Sequence, residues 1–313
     1  MSSNSNNKGR AYEYACINAL QNALSERRTA RIIMDSSYDT IHRAWGKMDG
    51  ETRRMFEVSA QAAIETIFEL EPSMTEDDGD ELILVSQKDS NGIQGDVRDI
   101  VIKREEISWE IGLSVKHNHA ALKHSRLSSV LDFGESWFGI PCSQEYWQAV
   151  QPIFDMLEEE KKKGTLWKEI DKKAERVYVP ILEAFMDEVR RANESDPTMP
   201  RKMLEYLIGK MDYHKVISRD KKRLTLIHTF NIHGTLGRSS GITIPIIKLP
   251  TELICIRRST KKKNTTVEMY LNNGWQLSFR IHSAKTEVEP SLKFDVEFIG
   301  TPESVMTFEC KWH

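Results

Sequence analysis

The sequence predicts an α/β protein of the α+β type: a mixed sheet flanked by helices, with a helical insertion and a β-rich C-terminal part. Apolar residues in the first seventy positions recur with the 3.6-residue period of helices. From about residue 80 the pattern changes to the alternation typical of strands, and helical periodicity returns over residues 143–211. Beyond residue 213, alternating runs and turn signals such as Asn273-Gly274 predict strands again.

Length and composition restrict the class of protein. A chain of 313 residues suffices for one large domain or two modest ones, and 39% hydrophobic with 29% charged residues is typical of soluble globular proteins. No apolar run reaches the roughly 18 residues of a membrane span, and the polar start MSSNSNNKGR lacks a signal-peptide core. Four scattered cysteines without a CxxC pair favour reduced thiols, so we expect a cytoplasmic protein. Since the net charge is −3, any nucleic-acid binding must come from local basic patches.

Three helices are predicted before the first strands. In the first helix, Glu13 lies on the same stripe as Ile17, Leu20 and Leu24, which puts a carboxylate on an apolar face. A second helix is predicted from Tyr38 to Lys47, and a third from the residues after Asp49 up to Pro72. The inner stripe of the third helix comprises Phe56, Ala60, Ala63 and Ile67.

Three strands follow, with the sequences ELILVS, DIVIK and ISWEIGLSVK. In the last of these, apolar residues from Ile107 to Val115 alternate, which leaves Ser114 and Lys116 side by side on the other face. Asp99 stands at the start of the DIVIK strand, directly after a turn. A hairpin between these two strands would therefore bring Asp99 close to Ser114 and Lys116.

An acid at a strand start and a lysine at the end of the paired strand are the layout of the active site in PD-(D/E)xK nucleases. Hydrolysis of a phosphodiester needs a divalent metal ion that neutralises the phosphate and lowers the pKa of the attacking water. Mg²⁺ is a hard cation that prefers carboxylate oxygens, so Asp99 is the predicted metal ligand. Lys116 is expected to orient the water and to stabilise the developing negative charge.

Ser114 departs from that layout because it occupies the position of the second acid, and a hydroxyl is a weak metal ligand. Glu110 shares the strand face but lies about 20 Å away along the strand. Glu13 is the first choice for the missing catalytic and metal-binding carboxylate, and Glu135 is the second. The alternative interpretation of Glu13 is an acid near a helix N-terminus, where the helix dipole favours it.

The histidines after Lys116 allow three interpretations. Adjacent His-Asn-His letters do not make an HNH nuclease signature, whose residues are spread over several tens of positions. A zinc site from His117, His119, His124 and Cys142 matches no compact ligand spacing. A solvated basic turn that contacts DNA phosphates is favoured. Its expected DNA-binding residues are His117, Lys123, His124 and Arg126.

Several segments resemble the HaeIII-type restriction endonucleases. They are GRAYE (9–13), GDVRDIVI (95–102), GLSVKHNHAALKHSRLS (112–128) with the following DFG and PCSQEYW, and RIHSAKTEVEPSLKFDV (280–296). The resemblance implies a type II restriction endonuclease that makes Mg²⁺-dependent double-strand cuts at a short palindrome, and the type member of the family cuts GGCC. It also implies a cognate methyltransferase that protects the same site. A homodimer remains open, as do a non-cleaving DNA-binding protein and a repair or RNA nuclease of the same fold.

The resemblance makes the β-rich C-terminal part the expected DNA-reading region. In NGWQLSFRIH the apolar residues alternate, which leaves Arg280 and His282 outward, and arginine can make a bidentate contact with guanine. RRSTKKK packs five cations into seven residues. For Arg257, Arg258 and Lys261, phosphate contact and a merely solvated loop carry equal weight. The predicted domains are a nuclease core with N-terminal helices and catalytic strands (1–142), a helical insertion (143–212) and a DNA-recognition part (213–313).

Overall fold

The computed structural model describes residues 2–88, 95–119 and 121–313, and the chain forms two compact units. The first unit contains Met1–Ala120, Gly209–Lys248 and Glu303–His313, and the second contains Ala121–Ile208 and Leu249–Pro302. The predicted mixed α/β fold with flanking helices and a β-rich C-terminal part is confirmed. The functional boundaries at residues 142 and 212 stay a prediction. Within the described ranges, no helix is both long and apolar enough to cross a membrane.

Strands occur in both units, and each unit has its own sheet. In chain order the strands are β1 (Ala30–Ile33), β2 (Leu82–Ser86), β3 (Ile100–Arg104), β4 (Trp109–His117), β5 (Lys123–Ser128), β6 (Tyr213–Arg219), β7 (Leu224–Phe230), β8 (Leu253–Arg258), β9 (Thr266–Leu271), β10 (Gln276–His282), β11 (Ser291–Gly300) and β12 (Thr307–Lys311). The first unit contains the sheet β1-β2-β3-β4-β6-β7-β12, and the second contains the sheet β5-β11-β10-β9-β8. In the first sheet, β3 pairs antiparallel with β4, whereas β4 pairs parallel with β6.

Four of the helices begin at polar residues whose side chains cap their exposed N–H groups. The helices are α1 (Ser2–Ser25), α2 (Ser36–Gly46), α3 (Gly50–Leu70), α4 (Phe133–Phe138), α5 (Gln144–Lys162), α6 (Val179–Ser195) and α7 (Met199–Ile208), and the capped ones are α2 to α5. The side chains of Asp35 and Asp49 accept hydrogen bonds from the first turns of α2 and α3, and Ser143 caps α5 as predicted. The predicted helices of the N-terminal part and of residues 143–211 are therefore confirmed.

The core of the first unit lies between its sheet and the helices α1 and α3. The apolar stripe of α1, which includes Ile17 and Leu20, is fully buried, and Phe56 of α3 is buried beside it. Leu113 and Val115 of β4 belong to the same core. Since successive side chains of a strand point to opposite faces, Ser114 and Lys116 project to the other face of the sheet.

The core of the second unit is aromatic. Phe279 of β10 and Phe294 of β11 pack against Phe185 of α6, with ring centroids 5.4 and 4.9 Å away. The predicted alternation in β10 is confirmed, because Trp275, Leu277, Phe279 and Ile281 are all fully buried. Arg280, which lies between two of these residues, is exposed.

Three local predictions were wrong. The first seventy residues are not all helical, because Ala30–Ile33 forms β1 parallel to β2, and four residues are too few for a strand pattern to be distinguished from a helical one. Ile107 is 54% exposed and precedes β4, since Glu105–Ser108 is a turn in which Ser108 has φ +51°. Lys123–Ser128 is not a solvated turn but strand β5, which pairs antiparallel with β11.

Candidate active site

Asp99 is held at the start of β3 by three hydrogen-bond donors from β4. Its Oδ2 accepts hydrogen bonds from the Val115 backbone N–H (2.6 Å), the Lys116 ammonium (2.9 Å) and the Ser114 hydroxyl (3.3 Å). The predicted hairpin and its approach of Asp99 to Ser114 and Lys116 are therefore confirmed. Oδ1 of Asp99 accepts no hydrogen bond from the described residues, so one carboxylate oxygen remains for another ligand.

The Asp99–Lys116 pair is partly open to solvent, with 22% and 23% of the two side chains exposed. Ser114 beside it is buried. A buried hydroxyl that donates to the carboxylate fixes the orientation of Asp99 without adding negative charge. The three side chains thus bring a carboxylate, an ammonium and a hydroxyl together at the end of β4.

Glu13 lies on α1, which packs against β4. Cys16, one turn further along α1, is buried, and burial is the main reason why the pKa of its thiol is raised. The negative charges of Glu13 and Asp99 raise that pKa further. Glu135 is exposed on α4 in the second unit.

Asp96, three residues before Asp99, is held in an ion pair with Arg98. Its two oxygens accept hydrogen bonds from the Arg98 guanidinium at 2.8 Å each, and Arg98 also pairs with Glu110 at 2.8 Å. Arg98 crosses directly over Gly112 of β4, where an added Cβ would lie 2.0 Å from the arginine side chain. Glu110 is therefore an ion-pair partner that closes this end of the hairpin.

Lys215 is a candidate residue that the sequence analysis missed. It lies on β6 in register with Ser114 of β4, and paired residues of neighbouring strands share a face of the sheet. It is only 2% exposed, and a lysine is rarely buried unless it has a partner or a function. The signal was a lysine inside the apolar strand YHKVIS, but only the pairing of β4 with β6 gives it a location.

The residue that pairs with Lys215 on β7 is a histidine. His228 of β7 lies opposite Lys215, and its pKa is lowered to about 4, mainly by burial and further by the charges of Lys215 and Arg219. Tyr213, two residues before Lys215, is buried; burial raises its pKa, and Asp99 raises it further. The same face of the sheet thus carries Lys116, Lys215 and a neutral imidazole.

His117 directly follows Lys116, but it is 9% exposed. Its ring packs edge-on against Phe56 at 4.8 Å, and its Nε2 contacts a carboxylate oxygen of Asp220 at 2.7 Å. The predicted phosphate contact of His117 stays a prediction, and in this structure the imidazole connects α3 to the end of β6.

His124 and His282 share one carboxylate in the second unit. Asp295 contacts His124 Nδ1 at 2.6 Å through Oδ1 and His282 Nε2 at 2.7 Å through Oδ2. Burial alone would raise the pKa of Asp295, but the hydrogen bonds from both histidines hold it well below its usual value. Arg280 lies opposite Asp295 on β10, so these predicted DNA-binding residues lie on one face of one sheet.

The other predicted DNA-binding cations differ in their surroundings. Lys123 donates to the Tyr206 carbonyl at 3.1 Å, and burial lowers its pKa to about 8. Because β5 alternates, Lys123 points away from the face that carries His124. The remaining cations are Arg126, which donates to Ser291 Oγ at 3.1 Å; Arg257, 3.4 Å from Glu268; Arg258, 3.3 Å from Glu183; and Lys261, which is exposed.

The described residues contain no group of three or more His, Cys, Asp or Glu side chains arranged to hold a metal ion. His117 and His124 lie in different units and have separate carboxylate partners. All four cysteines are free, as expected for reduced thiols. Oxygen ligands at Asp99 and Glu13 suit a hard cation, because Mg²⁺ keeps several waters and needs only one or two carboxylates.

Comparison with known proteins gives a match over nearly the whole chain. Residues 9–302 match the model of the family described as HaeIII restriction endonuclease. The chain is also 45% identical over 318 residues to the type II restriction enzyme HaeIII of Haemophilus aegyptius, which covers 100% of this chain and 99% of that protein. No solved structure matches the chain.

Proposed function

Because this chain belongs to the HaeIII restriction endonuclease family, we propose that Asp99, Lys116, Ser114 and Glu13 form its hydrolytic site. The protein is a type II restriction endonuclease, a site-specific deoxyribonuclease whose substrate is double-stranded DNA. Family membership decides against a non-cleaving DNA-binding protein and against a repair or RNA nuclease. The observation that carries the proposal is the Asp99 carboxylate, which is fixed through Oδ2 by three donors and leaves Oδ1 for a ligand.

The roles of the side chains follow from their charges. Lys116 donates to Asp99 at 2.9 Å and is partly exposed, so its ammonium can also bind a phosphate oxygen and stabilise the negative charge that develops there. The hydroxyl of Ser114 and the N–H of Val115 hold the Asp99 carboxylate in one orientation. A carboxylate fixed in advance loses no entropy when a ligand or a water binds to it.

A type II restriction endonuclease family points to a divalent metal ion, and we propose that this ion is Mg²⁺, bound by Asp99 and Glu13. When bound, it would neutralise the phosphate and lower the pKa of the attacking water. Ser114 leaves the site with one carboxylate fewer than the PD-(D/E)xK layout. Glu13 can supply this charge from α1, because that helix packs against β4, the strand that carries Ser114 and Lys116.

The target sequence is proposed to be GGCC, as expected from the family resemblance. The outer face of β5, β11 and β10 carries His124, Arg126, Arg280 and His282, which are the proposed DNA-binding side chains of the second unit. Exposed Arg280 suits a guanine edge, whose N7 and O6 accept the two hydrogen bonds of a guanidinium. Contacts from His117 and Lys123, and phosphate contacts from Arg257, Arg258 and Lys261, complete the proposed set.

A palindromic target is read symmetrically by a two-fold dimer, so a homodimer is part of the proposal. A cognate methyltransferase that modifies the same sequence would protect the host DNA. The enzyme would then act in the cytoplasm, where unprotected DNA and the protected host DNA are both present. Sequencing the ends of cleaved plasmid DNA tests the target, because any break outside GGCC contradicts it.

The test of the hydrolytic site compares two neighbouring acids. Asp99→Asn should lose cleavage in Mg²⁺ by at least about a hundredfold, because a hard cation needs the lost charge. Asp96→Asn is the matched control, since Asp96 is engaged by Arg98 and should mainly lose stability. Inactive Asp96→Asn with active Asp99→Asn would move the site to the preceding turn. Cleavage by the wild type in EDTA would contradict the metal requirement.

The second carboxylate is tested by comparing Glu13→Gln with Glu135→Gln. Glutamine keeps the size of glutamate but removes its charge, so Glu13→Gln should fold normally and lose most cleavage at saturating Mg²⁺. If Glu13 only compensates the helix dipole, the variant should lose under about 1 kcal/mol of stability and keep its activity. Loss of cleavage in the Glu135 variant alone would assign the role to that residue.

A further inference from the structure

A basic turn joins β6 to β7 at the strand end next to Lys116. Its sequence is RDKKR, from Arg219 to Arg223, and residues Asp220–Lys222 form a single turn of 3-10 helix. Arg223 has φ +48°, a left-handed conformation that ends the turn and returns the chain into β7. We call residues 219–223 the basic turn.

The one acid of the basic turn points inward. Asp220 interacts through Oδ2 with His117 Nε2 at 2.7 Å and with Asn118 Nδ2 at 2.6 Å, and its Oδ1 accepts from Ser218 Oγ at 2.8 Å. Its own backbone N–H donates to Asn118 Oδ1 at 3.0 Å. Burial would raise the pKa of Asp220, but these hydrogen bonds lower it, so the carboxylate stays ionised and engaged.

This anchoring fixes the basic turn to the strand that carries Lys116. β4 and β6 are parallel, with His117 in register with Ser218, and the Asn118 N–H donates to the Ser218 carbonyl at 2.9 Å. Because β4 and β6 run in the same direction about 4.8 Å apart, their C-terminal ends lie side by side at one edge of the sheet. The basic turn therefore begins beside the residues that directly follow Lys116.

In the part of the chain that the structure describes, the cations of the basic turn have no carboxylate partner. Among the described residues, no acid lies within 4.0 Å of the charged atoms of Arg219, Lys221, Lys222 or Arg223. The carboxylate of Asp220 instead contacts His117 at the end of β4. Lys221, Lys222 and Arg223 are exposed. A cavity of about 590 Å³ is lined by Arg219, Lys221, Lys222, Asn118, Leu224, Leu226 and one acid, Glu309.

We propose that the basic turn is a phosphate-binding element that holds the backbone of the DNA duplex beside the Lys116 strand end, with Asp220 as its positioning residue. The inference rests on the proposed hydrolytic site, because it places these cations next to the same strand end. Lysine and arginine side chains bind phosphate oxygens without reading sequence, so the contact serves cognate and non-cognate DNA alike. Separating Asp220 from its neighbouring cations prevents it from cancelling their charge.

The test measures DNA binding in EDTA, so its result does not depend on which residues hydrolyse the phosphodiester. Fluorescence anisotropy with 20-base-pair duplexes, with and without GGCC, gives the affinity over a range of salt concentrations. Each phosphate contact contributes about 0.9 to the slope of log affinity against log salt. The double variant Lys221→Gln/Lys222→Gln should therefore reduce the slope by about 1.8, on both duplexes, and weaken binding by about tenfold or more.

The matched control is Lys161→Gln/Lys162→Gln, which removes two exposed lysines from the end of α5. The control should keep the wild-type slope. The proposal is overturned if the Lys221/Lys222 variant keeps the wild-type slope, or if the control loses as much. Failure of the wild type to bind DNA would instead contradict the proposed function.

The positioning role of Asp220 has its own test. Asp220→Ala makes the protein more positive, so a diffuse charge effect predicts tighter DNA binding. If anchoring matters, binding becomes several-fold weaker despite the added positive charge, and a thermal melt checks that the variant is folded. Tighter binding by folded Asp220→Ala would overturn the positioning role.

Discussion

Replacement of Lys116 by alanine should abolish most cleavage while leaving the fold and DNA binding nearly intact. The Lys116 ammonium lies 2.9 Å from Asp99 Oδ2, and 23% of the Lys116 side chain is exposed, so the lysine is held by the protein but partly open to solvent. Removing one preorganised donor that stabilises developing charge typically costs about 3 kcal/mol of transition-state stabilisation. That loss corresponds to a decrease in the cleavage rate of roughly a hundredfold or more.

The effect on stability should be much smaller. Asp99 keeps its hydrogen bonds from Ser114 and the Val115 backbone, so no carboxylate is left without a donor. A partly exposed ion pair contributes about 1 kcal/mol or less. The Lys116→Ala variant should therefore lose far more activity than stability.

The assay is single-turnover cleavage of a labelled duplex at saturating enzyme and Mg²⁺, with a thermal melt of each variant. The matched control is Lys103→Ala on β3; the Lys103 side chain is 40% exposed, and its ammonium lies 3.9 Å from the carboxylate of Glu110. This control removes a lysine of the same hairpin and should cleave at the wild-type rate. A Lys116→Ala rate within threefold of wild type would refute the proposed site.

Three further predictions concern the support of the site. Lys215→Met should slow cleavage by about ten- to a hundredfold without lowering the melting temperature, because a buried ammonium in register with Ser114 is lost; a wild-type rate would assign Lys215 a structural role. His228 has a pKa of about 4 in the fold against about 6.5 when unfolded, so its contribution to stability is complete above pH 6.5 and is lost as the pH falls towards 4. When the pH is lowered from 6.5 to 4, the unfolding free energy of His228→Gln in denaturant melts should fall by up to about 3 kcal/mol less than that of the wild type. Equal decreases in the two proteins would contradict the assignment. Gly112→Ala should lower the unfolding free energy by about 1–3 kcal/mol, because its Cβ would lie 2.0 Å from Arg98; an unchanged melt would show that Arg98 can move.

Local sequence patterns were sufficient for the Asp99–Lys116 hairpin. The alternation of β4 determined which residues share the face of Lys116, and β3 follows closely enough in sequence for an antiparallel pair to be expected. The contact between Asp99 and Lys116 spans only 17 residues of chain, and the structure has it at 2.9 Å. The alternation of β10 likewise predicted that Trp275 and Phe279 are buried and that Arg280 is exposed.

Short or irregular segments were beyond the reach of such patterns. β1 has four residues, which is about one helical period, too few to distinguish a strand from a helix, and only its pairing with β2 identifies it as a strand. β5 was interpreted as part of a solvated turn, because the stretch that follows Lys116 is rich in histidine and basic residues. Its pairing with β11 places His124 beside Asp295, about 170 residues away in the chain. A local pattern of polar and apolar residues cannot predict a partner so distant in sequence.

By itself, the sequence determined the fold class, the hairpin and the carboxylate–lysine pair, because each depends on periodicity or on contacts between residues near in the chain. The tertiary structure alone decided that β6 lies parallel to β4, which places Lys215 beside Ser114 and Asp220 beside His117. The register of a parallel pair is not set by a connecting turn but by the packing of a long crossover, here nearly a hundred residues. That is why the positions of a buried lysine and an inward-pointing aspartate next to β4 follow only from the assembled sheet.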